Sequence, residues 1–452
     1  MVADPLGLGV RAAGHAIRTG TLSAVDLTQA YLRRAADTEP GINAYVTLDE
    51  RGALAAADRA DRALARGVDR GALHGIPVGV KDLIDTRGIR TTYGSGRYRD
   101  HVPQQDAEIV SRLREAGAVI LGKHATHEFA WGGRTDSPHF GPTRNPHDGA
   151  RVPGGSSGGG AASIAAGSCL LSVGTDTAGS IRIPASFCGC VGFKPTRSWA
   201  PLEGIHPLAP SLDHIGVLGR DVSDVAVAFG ALGGVTGDVR GGSVNGLRIG
   251  VLGGRSLTGA RPEVRRVLDG AVQALSAAGA SIEPVVLDLV DVRVDAILTL
   301  VRAEAEAIHR AAFREHPGSF GSDLAELLAL GPVSGAALAQ ADRVARAASA
   351  ELVDALDGHD VVLGLTVPVT APAIGELVQE FDDVAVPIEL ILTRLTSVAD
   401  AAGVPAISIP ATAPGLPVGL QLMAPRGADA ALLASASAVE VAISPPGHPP
   451  VK

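Results

Sequence analysis

Along the 452-residue chain, apolar positions switch repeatedly between a helical period and short continuous runs. This predicts helices interleaved with buried strands. The first clear helix starts with Ser23 as N-cap and Asp26 in its first turn, and it carries Val25, Leu27, Tyr31 and Leu32 on its apolar side. Asp106 is expected to cap a second, which carries Ile109, Val110 and Leu113 and stops at Gly117, with the strand Ala118 to Leu121 directly after it. The pattern recurs as a strand at 247–252, a helix at 262–278 and a strand at 282–289. An Ala-rich helix from Val333 to Leu356 precedes a strand at 360–363. Two closing strands at 406–409 and 418–422 lead to a helix at 429–442 and a Pro-rich, irregular tail from Ser444. Such alternation means an α/β fold with helices covering a sheet. No internal repeat is evident, and the Gly-rich stretch 232–246 reads as a loop inside one domain spanning 1–452.

Composition narrows this picture. Aromatic residues make up 3% of a chain that is 46% hydrophobic, so Ala, Val and Leu must fill the core. The formal charge of −9 argues against a broad nucleic-acid surface and suits a cytoplasmic protein. Asp4 and Arg11 interrupt any apolar leader near the N-terminus. The uncharged run Gly158 to Gly174 is built of small residues and followed by Asp176, so it reads as a buried helix and strand, not a membrane span. Cys169, Cys188 and Cys190 give no disulfide framework and are expected to be buried and reduced. His124 and His127 lack a completing ligand pattern, and neither a metal nor a cofactor is expected.

Candidate chemistry gathers in two glycine-rich stretches, Gly154 to Gly160 and Gly174 to Ser180. Glycine allows close backbone approach to a ligand. The first stretch matches G-x-S-x-G formally, but the loop Asn145 to Pro153 stands where a nucleophile elbow needs a strand. It also lacks the Lys-Ser/Thr pair of a phosphate loop. The second stretch follows an apolar run, Cys169 to Val173, and is expected to form a tight loop from Gly174 to Gly179. Ser180 is thus a candidate nucleophile, with the Thr177, Ala178 and Gly179 amides as oxyanion donors. On this motif alone, an ordinary capping serine is the simpler reading. None of the 13 histidines has an evident Asp partner, though such partners are spatial. Lys81 ends the apolar run from Gly75 and is a second candidate base, because desolvation lowers an amine's pKa.

With Lys81, Ser156 and Ser180 in view, the chain resembles the amidase signature family of Ser-Ser-Lys amide hydrolases. The resemblance rests on Leu73 to Asp82, Gly154 to Gly159, Gly174 to Asp176, Gly179 to Arg182, Phe187 to Gly189, Gly192 to Thr196, Gly403 to Ser408 and Gly415 to Gln421. It covers about residues 20–440, with a signature core near 70–200. It implies a mixed sheet with helices on both faces, and it implies roles. Ser180 would be acylated. Ser156, after a cis peptide at Gly155, would carry the proton to Lys81, the neutral base. Asp176 and Arg182 would brace the loop as an ion pair, and Ser157 would support the relay. Glu128, Phe129 and Trp131 would line the acyl side of the pocket, although Trp131 reads equally as core. Ala178 stands where many relatives carry glycine. The implied partner is a small amide, with a homodimer as the expected assembly and neither nucleic acid nor membrane involved.

Two relatives of this activity compete with a stand-alone amidase. The glutaminase component of a tRNA-dependent amidotransferase would carry a Tyr-rich stretch and a substrate-gripping arginine after residue 330. Residues 336–341 hold no tyrosine, and Arg343 and Arg346 fill that place only loosely. A urea-derivative hydrolase, of the allophanate or biuret type, fits the alanine at 178. A non-catalytic binding protein on the same scaffold is disfavoured, because all three catalytic positions are intact.

Overall fold

Eleven strands join into one mixed sheet, the frame on which everything else is hung. The structure is a computed structural model that describes residues 4–443 apart from 238, 240, 289, 382–383 and 412–414. In chain order the strands are β1 (Tyr45–Leu48), β2 (Pro77–Lys81), β3 (Val119–His124), β4 (Leu171–Asp176), β5 (Val191–Lys194) and β6 (His214–Gly219). They continue as β7 (Arg248–Leu252), β8 (Ser281–Val285), β9 (Val361–Leu365), β10 (Ala406–Ala411) and β11 (Val418–Met423). Their spatial order is β1-β3-β2-β4-β6-β5-β10-β11-β9-β7-β8. The chain is thus a large α/β domain whose sheet is flanked by helices, as the alternating pattern requires.

The parallel pairing of β2 with β4 places the site. Val78 lies beside Leu171 and Val80 beside Val173, so the carboxyl ends of both strands emerge together, with Lys81 next to Thr175 and Asp176. In open α/β sheets, ligands gather at such carboxyl ends. β6 runs antiparallel on the other side of β4 and pairs as far as Asp176 with His214. Both central strands are buried along their whole length, which explains their continuous apolar runs.

Ser23 caps the helix Ala24–Ile42, accepting from the Asp26 N–H, and the Gly158 to Gly174 run forms a buried helix, Gly158–Ala165, and then β4. Asp106 does not cap. The helix Glu108–Glu115 begins after Ala107, and Asp106 instead accepts from the Arg87 N–H at 2.8 Å and pairs with Arg114 at 2.9 Å. β4 begins two residues later than the apolar run and continues through Asp176. Pairing with β6, invisible in sequence, carries the ladder through Thr175 and Asp176. The loop, predicted from Gly174 to Gly179, therefore starts only at Thr177 and runs to Ile181. The tail from Ser444 lies outside the described residues, as does residue 289 of the expected strand 282–289, which forms as Ser281–Val285.

Cys169, Cys188 and Cys190 are buried and unpaired, and burial pushes the Cys169 thiol up to about 11. Among the described residues, no helix is long and apolar enough to cross a membrane.

Candidate active site

Lys81 reaches the end of β2 with 1% of its surface exposed. Burial pushes its amine down to about 7, against the opposing pull of Asp176 and Asp213. Its Nζ lies 2.7 Å from Ser156 Oγ and 2.8 Å from Thr175 Oγ1. Ser156 is fully buried and follows a cis peptide from Gly155. Ser157 donates from Oγ to the Thr175 carbonyl at 3.1 Å, and its amide donates to the Ser180 carbonyl at 3.0 Å. Ser157 thus ties the two serine loops together without touching the amine.

Ser180 lies on a cavity wall, 8% exposed, and its hydroxyl has no hydrogen bond among the described residues. It caps nothing: the short helix Arg182–Cys188 starts from Ile181 with no side-chain cap. Lys81 and Ser156 are therefore in contact, and the Ser180 hydroxyl has no partner among the described residues.

Arg182 and Asp176 form the brace around this loop. Arg182 is fully buried and donates to Asp176 from Nε and from Nη2, both at 3.0 Å. Nη2 also reaches Asp400 at 2.6 Å, and Nη1 reaches Gln421 Oε1 at 2.6 Å and the Thr396 carbonyl at 2.9 Å. Burial works against the Asp176 carboxylate, but the Arg182 guanidinium outweighs it and holds the carboxyl well below its usual range. Burial pushes Asp400 up to about 8, against Arg182. Asp176 also accepts from the Gly179 amide at 2.6 Å. That bond corrects the sequence expectation of three oxyanion donors: Gly179 is committed to the brace, and only the Thr177 and Ala178 amides donate to no described group. Gly179 has φ +129°, a conformation that side chains disfavour, and a Cβ there would strike Thr396.

The cavity above Ser180 encloses about 450 Å³. Trp131, Ala178 and Thr177 line it; Glu128 and Phe129 do not, contrary to expectation. Glu128 is buried behind the wall, accepting from Ser95 Oγ at 2.6 Å and the Gly321 amide at 2.8 Å, with His139 at 3.0 Å. Phe129, at φ +48°, turns into a cluster with His309 and His206, with ring centroids 4.4 and 4.9 Å away. Arg343 and Arg346 lie on the surface of the helix Gly335–Asp357, away from the cavity. His124 is held between Ser172 at 2.8 Å and Ser163 at 2.9 Å, and His127 meets Asp323 at 2.9 Å. Among the described residues, no group of three or more His, Cys, Asp or Glu side chains is placed to hold a metal ion.

Sequence reasoning missed Thr175, Asp213, Thr396, Asp400 and Gln421 as contributors to the site. Asp213 accepts from Thr177 Oγ1 at 2.6 Å and so steadies the loop before Ser180. Thr396 Oγ1 donates to the Ala178 carbonyl at 2.5 Å. Thr175 lies within the second glycine stretch, but the others reach the site from 36 to 239 positions away and leave no local signal.

A buried amine against a serine pair, at the carboxyl ends of central strands, is the constellation of the amide C–N hydrolases, and the chain belongs to their amidase family: the family model described as Amidase matches residues 26–433. It is 34% identical to a glutamyl-tRNA(Gln) amidotransferase subunit from Koribacter versatilis, over 97% of this chain and 98% of that relative. Among solved structures it is similar to an amidase, at 35% identity and TM-score 0.89, covering 97% of this chain and 100% of the other. At 32% identity and TM-score 0.89 it is also similar to a chain from a vestigial protein complex that reveals the evolutionary origins of an s-triazine catabolic enzyme, covering 96% and 98% of the two chains.

Arg182→Met leaves two carboxyl groups buried around a lost cation. It is expected to destabilise the fold by about 3–5 kcal/mol, read as a lowered denaturant midpoint. Arg346→Met, on the surface, is expected to stay within about 0.5 kcal/mol of the parent.

Proposed function

We propose that this protein hydrolyses carboxylic amides to an acid and ammonia or an amine, through an acyl-enzyme on Ser180. The observation that carries this reading is the desolvated Lys81 amine, 2.7 Å from Ser156, beside a nucleophile that opens into a cavity. Ser180 Oγ attacks the amide carbon as its proton passes to Ser156 and the Ser156 proton passes to Lys81. The Thr177 and Ala178 amides face the developing oxyanion. Collapse breaks the C–N bond, and the leaving nitrogen takes a proton back along the same path. Water then attacks the ester carbon under the same relay, and the acid leaves with Ser180 restored. An amine near 7 suits this work, since a base is most effective close to the operating pH.

A second reading, the glutaminase of a larger amidotransferase, draws support from the amidotransferase relative. The cavity weighs against it. Its lining is mostly apolar, with Ile183, Leu208, Leu298 and Leu327 among it, and neither Arg343 nor Arg346 faces it, although Asp295, Arg302 and Glu389 do. Such a wall favours an apolar acyl chain over a small polar amino acid. Similarity to a chain linked with s-triazine catabolism keeps urea derivatives in the assay set.

A panel of primary aliphatic amides, anilides, indoleacetamide, biuret and glutamine, assayed for ammonia or amine release, separates these readings. Aliphatic amides are expected to lead, whereas release confined to glutamine, and dependent on added partner proteins, would establish the glutaminase. Ser180→Ala is expected to lower kcat by roughly four orders of magnitude or more, and a fluorophosphonate is expected to label Ser180. Labelling at Ser157 instead would refute the assignment. Because the base must be neutral, kcat/KM is expected to fall as pH drops through about 7. A flat profile between pH 6 and 8, chosen as roughly one unit either side of that value, would remove Lys81 from the role.

A further inference from the structure

Thr396 is placed to cap a helix and does not. It precedes the short helix Ser397–Ala402 at the N-cap position, where a threonine hydroxyl ordinarily accepts from the helix amides, yet it makes no such bond. Its side chain is fully buried, and its Oγ1 donates to the Ala178 carbonyl at 2.5 Å. The Thr393 carbonyl stands off at 3.4 Å, so the single hydroxyl proton is committed to Ala178. No other group among the described residues donates to that carbonyl.

The peptide held in this way joins Ala178 to Gly179. Its carbonyl end is tied to Thr396, and its N–H end to Asp176 at 2.6 Å. Gly179 has φ +129°, and a peptide beside glycine is the one most free to swing over, because no Cβ resists it. The Ala178 amide, one of the two without an acceptor, hangs from the same Cα as the pinned carbonyl. On its other side the loop is fixed at Thr177, whose Oγ1 donates to Asp213 at 2.6 Å. Thr396 also gives its own carbonyl to Arg182 Nη1 at 2.9 Å. One residue thus joins the Arg182 brace to the cavity loop, although it does not line the cavity itself.

We propose that Thr396 is a positioning residue for the transition state. By holding the Ala178–Gly179 peptide at its carbonyl end, the Thr396 hydroxyl keeps the Ala178 amide aimed at the oxyanion that forms when Ser180 attacks. Its effect falls on the chemical step more than on substrate binding, because an amide donor meets the oxyanion more strongly than the ground-state carbonyl. This role rests on the hydrolytic reading above.

Thr396→Val keeps the shape and removes the hydroxyl, whereas Thr396→Ser keeps the hydroxyl. Thr396→Val is expected to lower kcat by roughly ten- to a hundredfold, the scale of a slightly misplaced donor, with KM nearly unchanged. Thr396→Ser is expected to recover most of the loss. In both variants the fall of kcat/KM through about pH 7 is expected to stay in place, because Lys81 is untouched. An unchanged kcat in Thr396→Val overturns the proposal. So does a loss carried by KM alone, a displaced acid limb, or a loss that Thr396→Ser does not recover. A second measurement needs no amide substrate. The rate at which a fluorophosphonate labels Ser180 is expected to fall in Thr396→Val and to recover in Thr396→Ser, since a phosphoryl oxygen then occupies the place of the oxyanion. Equal labelling rates in parent and variants reject the role. Slower labelling of Thr396→Val in a protein that hydrolyses no amide would refute the amidase reading alone. Should its denaturant midpoint show that Thr396→Val does not fold, Thr396→Cys, whose thiol is a weak donor, takes its place in each comparison.

Discussion

The contact on which the site depends is the buried union of Arg182 with Asp176 and Asp400. It draws together the loop after β4, the backbone at Thr396 and Gln421 of β11. A guanidinium with planar, forked donors can satisfy all of these at once, and a lysine cannot. Asp176 spends its remaining acceptor capacity on the Gly179 and Ile181 amides, which fixes the turn that presents Ser180. The charges are tolerable only because every partner is present. Position and stability at this loop therefore have the same cause.

Desolvation supplies the chemistry that the brace positions. Lys81 loses its hydration at the end of a buried strand and receives two hydroxyls instead of a carboxylate. Asp176 is close enough to pull its amine upward, but Arg182 already claims that carboxylate, and burial wins. In the proposed relay, Asp176 thus holds the loop without quenching the base.

Much of this was legible in the chain itself. The alternation of patterns implied the α/β layering, and the apolar run before Lys81 marked a desolvated amine. The two glycine stretches marked the serine loops. What stayed hidden lay in pairings between distant segments. Asp106 looked like a helix cap because sequence shows its neighbours and not Arg114 folded back onto it. Glu128 and Phe129 looked like pocket residues because the family resemblance implied it, yet left-handed backbone at Phe129 and Ala130 turns the chain there. Arg302, on a helix with no motif, lines the cavity only because of where that helix packs.

By itself, then, the sequence determined which residues carry reactive groups, since glycine freedom, apolar burial and lysine desolvation are local properties. The tertiary structure decided which of them meet. It committed the Gly179 amide to Asp176, left the Thr177 and Ala178 amides without an acceptor among the described residues, brought Asp400 and Gln421 to Arg182 and set Arg302 in the cavity wall. Those outcomes depend on strand order and helix packing, where one hydrogen bond joins residues hundreds of positions apart, and no local pattern encodes them.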